Sequence, residues 1–146
     1  MARKIKKSER QKAIEKADKY CSQYVRIANA DQNGYCKCYT CWKIKHRKEI
    51  QCWHRIGRKY IIVRRDLDNL RPQCFGCNSK TWGNWMPVEF EAHLLDDIWA
   101  DRVHAVEQKA MDEVRDPEKY KIDTPTILEI ADMYRDLLKP YKHLIT

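Results

Sequence analysis

The chain has 146 residues, 43% of them hydrophobic, including five tryptophans and eight tyrosines, so it is long and apolar enough to bury a core. Its longest aliphatic run, Ile61-Ile62-Val63, falls short of a membrane span, and no apolar stretch follows the basic start MARKIKK, so neither a membrane span nor a secretory leader is expected and a cytoplasmic protein is. The net charge of +8 conceals a split: residues 1–82 carry 21 Lys/Arg against 7 Asp/Glu, a net +14, and residues 83–146 carry 8 against 14, a net −6.

Ser8-Glu9-Arg10-Gln11 has the form of a capping box, and Ile14, Ala17, Cys21, Tyr24, Val25 and Ala28 then recur at helical spacing. This predicts a helix from about Glu9 to Ala30, with Cys21 on its apolar face. Asp31-Gln32-Asn33-Gly34 is a turn that stops it. From Tyr35 to Lys80 the chain reads as short strands and loops. Glu49–His54 and Tyr60–Arg64 are the expected strands, arranged around a turn at Gly57, and a short helix is expected after Cys77.

The remainder reads as helical. Pro87 suits a first helical turn, and Phe90, Leu94, Leu95 and Ile98, extended by Trp99, supply an apolar stripe. A polar helical stretch spans about Asp101 to Val114, and Asp116-Pro117 breaks it. Thr124-Pro125 predicts an N-cap followed by proline at the first helical position. Ile127, Ile130, Ala131, Tyr134, Leu137, Leu138 and Tyr141 form the face of a last helix.

All seven cysteines lie in the basic half, where a cytosolic chain makes metal binding or plain burial more plausible than disulfides. Cys38-Tyr39-Thr40-Cys41 and Cys74-Phe75-Gly76-Cys77 are two Cys-x-x-Cys knuckles separated by 32 residues. Two residues between thiols let both sulfurs reach one ion, so the pairs complete a closed tetrahedral zinc site with no open position. Such a zinc is structural. Cys36 stands close enough to compete with Cys38 for the ion, and Cys52 reads as packed in its strand.

A zinc staple needs only the cysteines, yet His54, Asn69 and Asn78 are threaded around it. If His54 ends one strand, Asn69 lies on the return and Asn78 starts the short helix, all three converge. Their order follows the logic of an HNH, or ββα-metal, nuclease. In that scheme the histidine takes a proton from water, the middle asparagine fixes the imidazole, and the last position holds a divalent ion against the scissile phosphate. Arg55, Arg58, Lys59, Arg64 and Arg65, with Arg71 and Lys80, bracket this constellation and are the candidate DNA contacts. The basic lead Arg3-Lys4-Ile5-Lys6-Lys7 adds to them.

The joint pattern over about residues 18–100 resembles the phage NinG (Rap-type) recombination endonucleases, within the wider HNH group. The resemblance rests on Cys21-Ser22-Gln23-Tyr24-Val25-Arg26, on Asn33-Gly34-Tyr35-Cys36-Lys37-Cys38-Tyr39-Thr40-Cys41, and on His54 with Arg58. It also rests on Arg64, Asp66, Asn69, Gln73, Cys74, Cys77, Asn78, Gly83 and Asn84. Trp53, Arg65 and Trp42 depart from that family's usual residues. Trp53 cannot ligate a metal, which leaves Asn84, Glu49 or His54 to join Asn78 at a catalytic ion.

The resemblance implies cleavage of branched or single-strand-containing DNA in the host cell's cytoplasm, with catalytic Mg²⁺ or Mn²⁺ beside the structural zinc. The expected fold is α+β. Residues 1–34 form a basic tail and helix, residues 35–85 a zinc-stapled HNH-like core, and residues 86–146 a C-terminal helical region packed on it. Those last helices could also dock a recombination protein or a second copy. The alternative is a non-catalytic zinc-stapled module that binds nucleic acid as a recombination or regulatory factor, which needs the zinc and the basic face but not His54.

Overall fold

A computed structural model describes residues 6–80, with the backbone alone at Lys80, and residues 88–145. Among these the architecture is α+β, with five α-helices and two small antiparallel sheets. The expectations placed on Arg3, Lys4, Ile5, Gly83, Asn84 and Pro87 lie outside the described residues, as does the side chain of Lys80.

Helix α1 runs Glu9–Ala28 and opens as its sequence demands. Gln11 N–H donates to Ser8 Oγ at 3.2 Å, and Ser8 N–H donates to Gln11 Oε1 at 2.9 Å. Ala13, Ala17, Cys21, Val25 and Ile27 are buried, while Ala28 is exposed because the helix stops two residues before the expected end. Asp31 Oδ1 then accepts N–H bonds from Asn33 and Tyr35, each 2.9 Å, and Gly34 turns the chain at φ 82°. A Cβ at Gly34 would lie 3.2 Å from the His46 ring.

Strands β1 (Tyr35–Lys37) and β2 (Ile44–His46) pair antiparallel and hold the first knuckle between them. Strands β3 (Ile50–His54) and β4 (Leu70–Cys74) form the second hairpin, with Cys52 opposite Pro72 and His54 opposite Leu70. Helix α2 (Phe75–Lys80) follows β4 directly. Pro72 is tolerated because β4 is an edge strand, and its carbonyl accepts from Tyr39 N–H at 2.9 Å.

The expected strand Tyr60–Arg64 is not a strand. The return strand begins at Leu70, and residues 55–69 form an irregular loop. The reason is where the backbone donors go. Ile61 and Ile62 N–H both donate to the Glu113 carboxylate, at 2.9 and 3.0 Å, instead of to a neighbouring strand.

Helix α3 (Val88–Arg115) carries a break at Trp99, where φ is 64° and ψ 147°. Phe90, Leu94 and Ile98 are buried before the break, while Leu95 and Trp99 are exposed and fall off the expected stripe. After it, Val106 and Ala110 pack on Val63 of the 55–69 loop. Helix α4 (Thr124–Leu137) is capped by Asp123, one residue earlier than expected, with Asp123 Oδ1 accepting from Thr126 N–H at 2.9 Å. Ile127, Ala131, Tyr134 and Leu138 are buried, whereas Leu137 is exposed. Helix α5 (Lys142–Ile145) ends the described chain.

Small residues let α1 and α4 approach closely: Ala13 and Ala17 meet Ile127 and Ala131. Cys21 and Val25 of α1 share a second cluster with Cys52, Leu70 and Tyr134. Tyr134 is buried, and its hydroxyl donates to the Arg65 carbonyl at 2.6 Å, so a large aromatic is hidden with its polar end satisfied. No described helix is long and apolar enough to cross a membrane.

Candidate metal centre and cationic cleft

The two knuckles arrive from different hairpins and meet. The sulfurs of Cys38, Cys41, Cys74 and Cys77 all lie within 4.8 Å of one another. Cys41 Sγ and Cys74 Sγ are 3.8 Å apart, and a tetrahedral ion with Zn–S bonds of about 2.3 Å separates its sulfurs by about 3.8 Å. Cys74 N–H points at Cys38 Sγ from 3.3 Å, an outer bond that steadies a thiolate. Four cysteines so placed can hold a structural metal such as zinc.

The other thiols stay outside this group. Cys36 is buried and directs its Sγ to the Lys37 carbonyl, so the competition with Cys38 is decided by geometry in favour of Cys38. Burial pushes the thiols of Cys21 and Cys36 up to about 11 and that of Cys52 to about 12, so all three are neutral packing groups at pH 7.

His54 ends β3 and is partly buried beneath α1. It borders a narrow cavity of about 20 Å³, together with Asp18, Ser22, Cys52, Arg58 and Arg64. That space suits about one water molecule. Burial lowers the imidazole to about 4, and the nearby Arg58 charge acts in the same direction. The imidazole is therefore neutral at pH 7. The backbone of Arg64 acts the other way and favours the proton, but burial outweighs it.

Asn69 does not touch the imidazole with its amide. It is buried and spends its side chain on the 55–69 loop. Asn69 Oδ1 accepts from Ile56 N–H at 2.7 Å, and Nδ2 donates to the carbonyls of Ile56 at 3.0 Å and Val63 at 2.9 Å. Its own carbonyl accepts from Arg55 N–H at 3.0 Å. Asn69 thus holds together the 55–69 loop that borders His54.

Asn78 lies in α2, where its amide donates to Gln51 Oε1. Both line an open cleft of about 800 Å³ with Ser22, Arg26, Lys48, Arg58 and Phe75. Ser22, Cys52 and Arg58 border this cleft and the His54 cavity alike, so the two are neighbours. Among the described residues no Asp or Glu lines the cleft. Glu49 is exposed and pairs with Lys45, and does not reach Asn78 as a second ligand.

The candidate DNA contacts divide sharply. Arg55 is buried in ion pairs with Glu91 and Glu107 of α3. Arg65 is buried against Asp18, and Arg64 grips the same carboxylate. Arg71 is buried, donates to the carbonyls of Leu67 and Leu70, and pairs with Asp97. These four cations hold the loop against α1 and α3; Arg55 and Arg71 pair across the two halves of the charge split, while Arg64 and Arg65 pair within the basic half. Arg58 and Lys59 remain exposed.

Two cations that the sequence reading passed over, Arg26 and Lys48, complete the cleft. Arg26 Nε donates to the Ser22 carbonyl at 3.1 Å, and its guanidinium reaches the carbonyl of Arg47, itself a buried cation. The signal for Arg26 was its place on the flank of the Cys21–Val25 stripe. Lys48 carried none, because it sits in a turn that only tertiary folding brings to the cleft.

The lowered His54 value makes a prediction about stability. Below its ordinary value of 6.5, the unfolded chain takes up a proton that the folded chain refuses until about pH 4. Stability is therefore unaffected above about 6.5 and is lost as pH falls from there towards 4. His54→Gln should lose less stability than the parent over this interval. Urea midpoints at pH 7.5 and about pH 4.5 measure it, and equal losses in the two proteins would contradict the burial of the imidazole.

Compared with protein-family models, with curated proteins and with solved structures, the chain matches none.

Proposed function

We propose that the chain is a DNA-directed phosphodiesterase of HNH type, with His54 as general base. The observation that carries this reading is a neutral imidazole beside a water-sized cavity that adjoins a cleft lined, among the described residues, by cations and no carboxylate. Arg26, Lys48 and Arg58 supply the charge that would seat a phosphate, and His54 would take the proton of the attacking water. The β3–β4 hairpin followed by α2, with the four-cysteine group joining α2 to the first knuckle, supports the ββα-metal reading of this region.

A divalent catalytic ion fits the described residues poorly. The cleft offers the carboxamides of Gln51 and Asn78 and no carboxylate, whereas Mg²⁺ and Mn²⁺ prefer an oxygen set that includes carboxylates. No step is therefore assigned to an ion. This same observation favours the second reading, a zinc-stapled nucleic-acid-binding module without catalysis. Incubating the protein with branched, single-stranded and duplex DNA, with Mg²⁺, with Mn²⁺ and with chelator, separates the two. Cleavage of any of these supports the phosphodiesterase; binding without cleavage on all of them leaves the module.

Binding should weaken steeply with salt, because log K falls by about 0.9 per neutralised phosphate for each decade of salt on duplex DNA. Lys48→Glu with Arg58→Glu should lower both the affinity and the slope. Arg55→Ala and Arg71→Ala should instead lower thermal stability and leave the slope unchanged, since both side chains are buried in ion pairs. Anisotropy titrations at three salt concentrations measure both. An unchanged slope in the double variant would place the DNA face elsewhere.

A further inference from the structure

The opposite edge of the β3–β4 hairpin borders a second cavity, of about 400 Å³, whose walls include Tyr39, Trp42, Pro72 and His93. Trp42 is an unexpected residue there on backbone grounds. It follows the second cysteine of the first knuckle at φ 61°, a left-handed conformation that glycine adopts freely and a bulky side chain resists. Packing does not explain its presence, because the residue is 48% exposed.

The indole is nevertheless fixed. Trp42 Nε1–H donates to His93 Nε2 at 3.1 Å, and His93 Nδ1 lies 2.8 Å from the Tyr39 carbonyl oxygen. One tautomer, with the proton on Nδ1, satisfies both bonds. The Trp42 and His93 ring centroids are 4.2 Å apart. The result is a rigid, solvent-facing aromatic wall maintained in spite of its backbone conformation.

Two kinds of ligand stack on such a wall, a cation and a flat neutral ring. The cation position is already filled, since Lys37 Nζ lies 5.1 Å from the Trp42 ring centroid. Asp97 is also committed, to Arg71 and to the Tyr39 hydroxyl. A flat ring can displace the lysine ammonium on its flexible stem, take the indole face, and leave Lys37 to meet a phosphate borne elsewhere on the same ligand. Asp96 lines the same cavity, is exposed, and has no ion pair among the described residues, so it can accept from a ring N–H edge. Position agrees with chemistry. Pro72 borders this cavity, and its cross-strand partner Cys52 borders the cationic cleft. The cleft and the wall thus border the two members of one β3–β4 residue pair.

We propose that Trp42, with Asp96 and Lys37, forms a stacking site for an unpaired nucleobase next to the phosphate cleft. The proposal rests on the nucleic-acid reading above and adds to it what the protein recognises: a base freed from its duplex. The test is binding of the full zinc-loaded chain, without added divalent ion, to three labelled DNAs. These are a blunt duplex, the same duplex with a three-nucleotide unpaired tail, and the same tail made of abasic nucleotides. Stacking on an aromatic side chain is worth a factor of about 5–150 per base. The parent should prefer the base-bearing tail by a factor in that range and show no such gain for the abasic tail. Trp42→Ala should lose the preference while keeping blunt-duplex affinity. Trp42→Gly, which gives the left-handed position its least strained residue, should do the same and guards against a folding defect in the alanine variant. A parent that binds blunt and tailed duplexes equally, or glycine and alanine variants that retain the preference, would overturn the stacking site alone. Failure to bind any of the three DNAs would overturn the nucleic-acid reading and this site with it.

Discussion

Cys38→Ser or Cys77→Ser is expected to unfold the knuckle region and to abolish stoichiometric zinc. The parent should carry one zinc per chain. The size of the effect follows from a comparison of magnitudes. Structural zinc binding contributes about 10–16 kcal/mol in small sites, and a domain's whole stability is about 5–15 kcal/mol. The four sulfurs join α2 to the loop between β1 and β2, and the buried group beside them is small: Cys36, Cys38, Ile50 and Cys74. Without the ion that cluster cannot offset the ordering cost of two hairpins. The α1–α4 contact has its own apolar packing and should outlast it. Metal analysis with amide exchange would show this as protection lost over residues 35–54 and 70–80 and partly retained in α1 and α4. A folded, zinc-free parent would refute the metal assignment.

His54→Ala is expected to lower cleavage by about 10²–10⁴ and to leave zinc content and DNA affinity close to the parent's. The division of labour is spatial. The sulfurs belong to the knuckles, the cations of the cleft are Arg26, Lys48 and Arg58, and His54 contributes to neither group. Asn69→Ala should behave differently. It removes three side-chain hydrogen bonds from a buried site, and each unsatisfied partner costs about 1–3 kcal/mol. Lost activity in that variant should therefore come with lost stability, whereas His54→Ala should lose activity alone. Parallel cleavage, binding and melting measurements on one branched substrate distinguish them. A His54→Ala protein that cuts as fast as the parent would remove the general base from the proposal.

What the sequence made readable was local. The Ser8/Gln11 capping box, the helical stripe of α1 and the paired Cys-x-x-Cys knuckles depend on residues a few positions apart, and the structure reproduces each. What it concealed was pairing over distance. Ile61-Ile62-Val63 has the composition of a strand, but Glu113 takes two of its N–H groups from 52 and 51 residues away. Arg55, Arg64, Arg65 and Arg71 look like a polyanion-binding run until Asp18, Glu91, Asp97 and Glu107 are placed against them. A charge in a sequence gives no sign of whether its partner is a solvent ion, a ligand or a carboxylate folded in from elsewhere. Asn69 reads in the sequence as the residue that fixes the imidazole, whereas its side chain bonds the carbonyls of Ile56 and Val63 and staples the loop.

The bond from Tyr134 to the Arg65 carbonyl spans 69 positions, and Glu113 reaches back to Ile61 over 52. Both hold the 55–69 loop beside His54. During synthesis a chain emerges from its N-terminus at about 5–20 residues per second. Through that interval the nascent protein can already gather its four cysteines, while α4 is still inside the ribosome and the loop is untethered. The 55–69 loop beside His54 is therefore tied down only once α4 has emerged and docked.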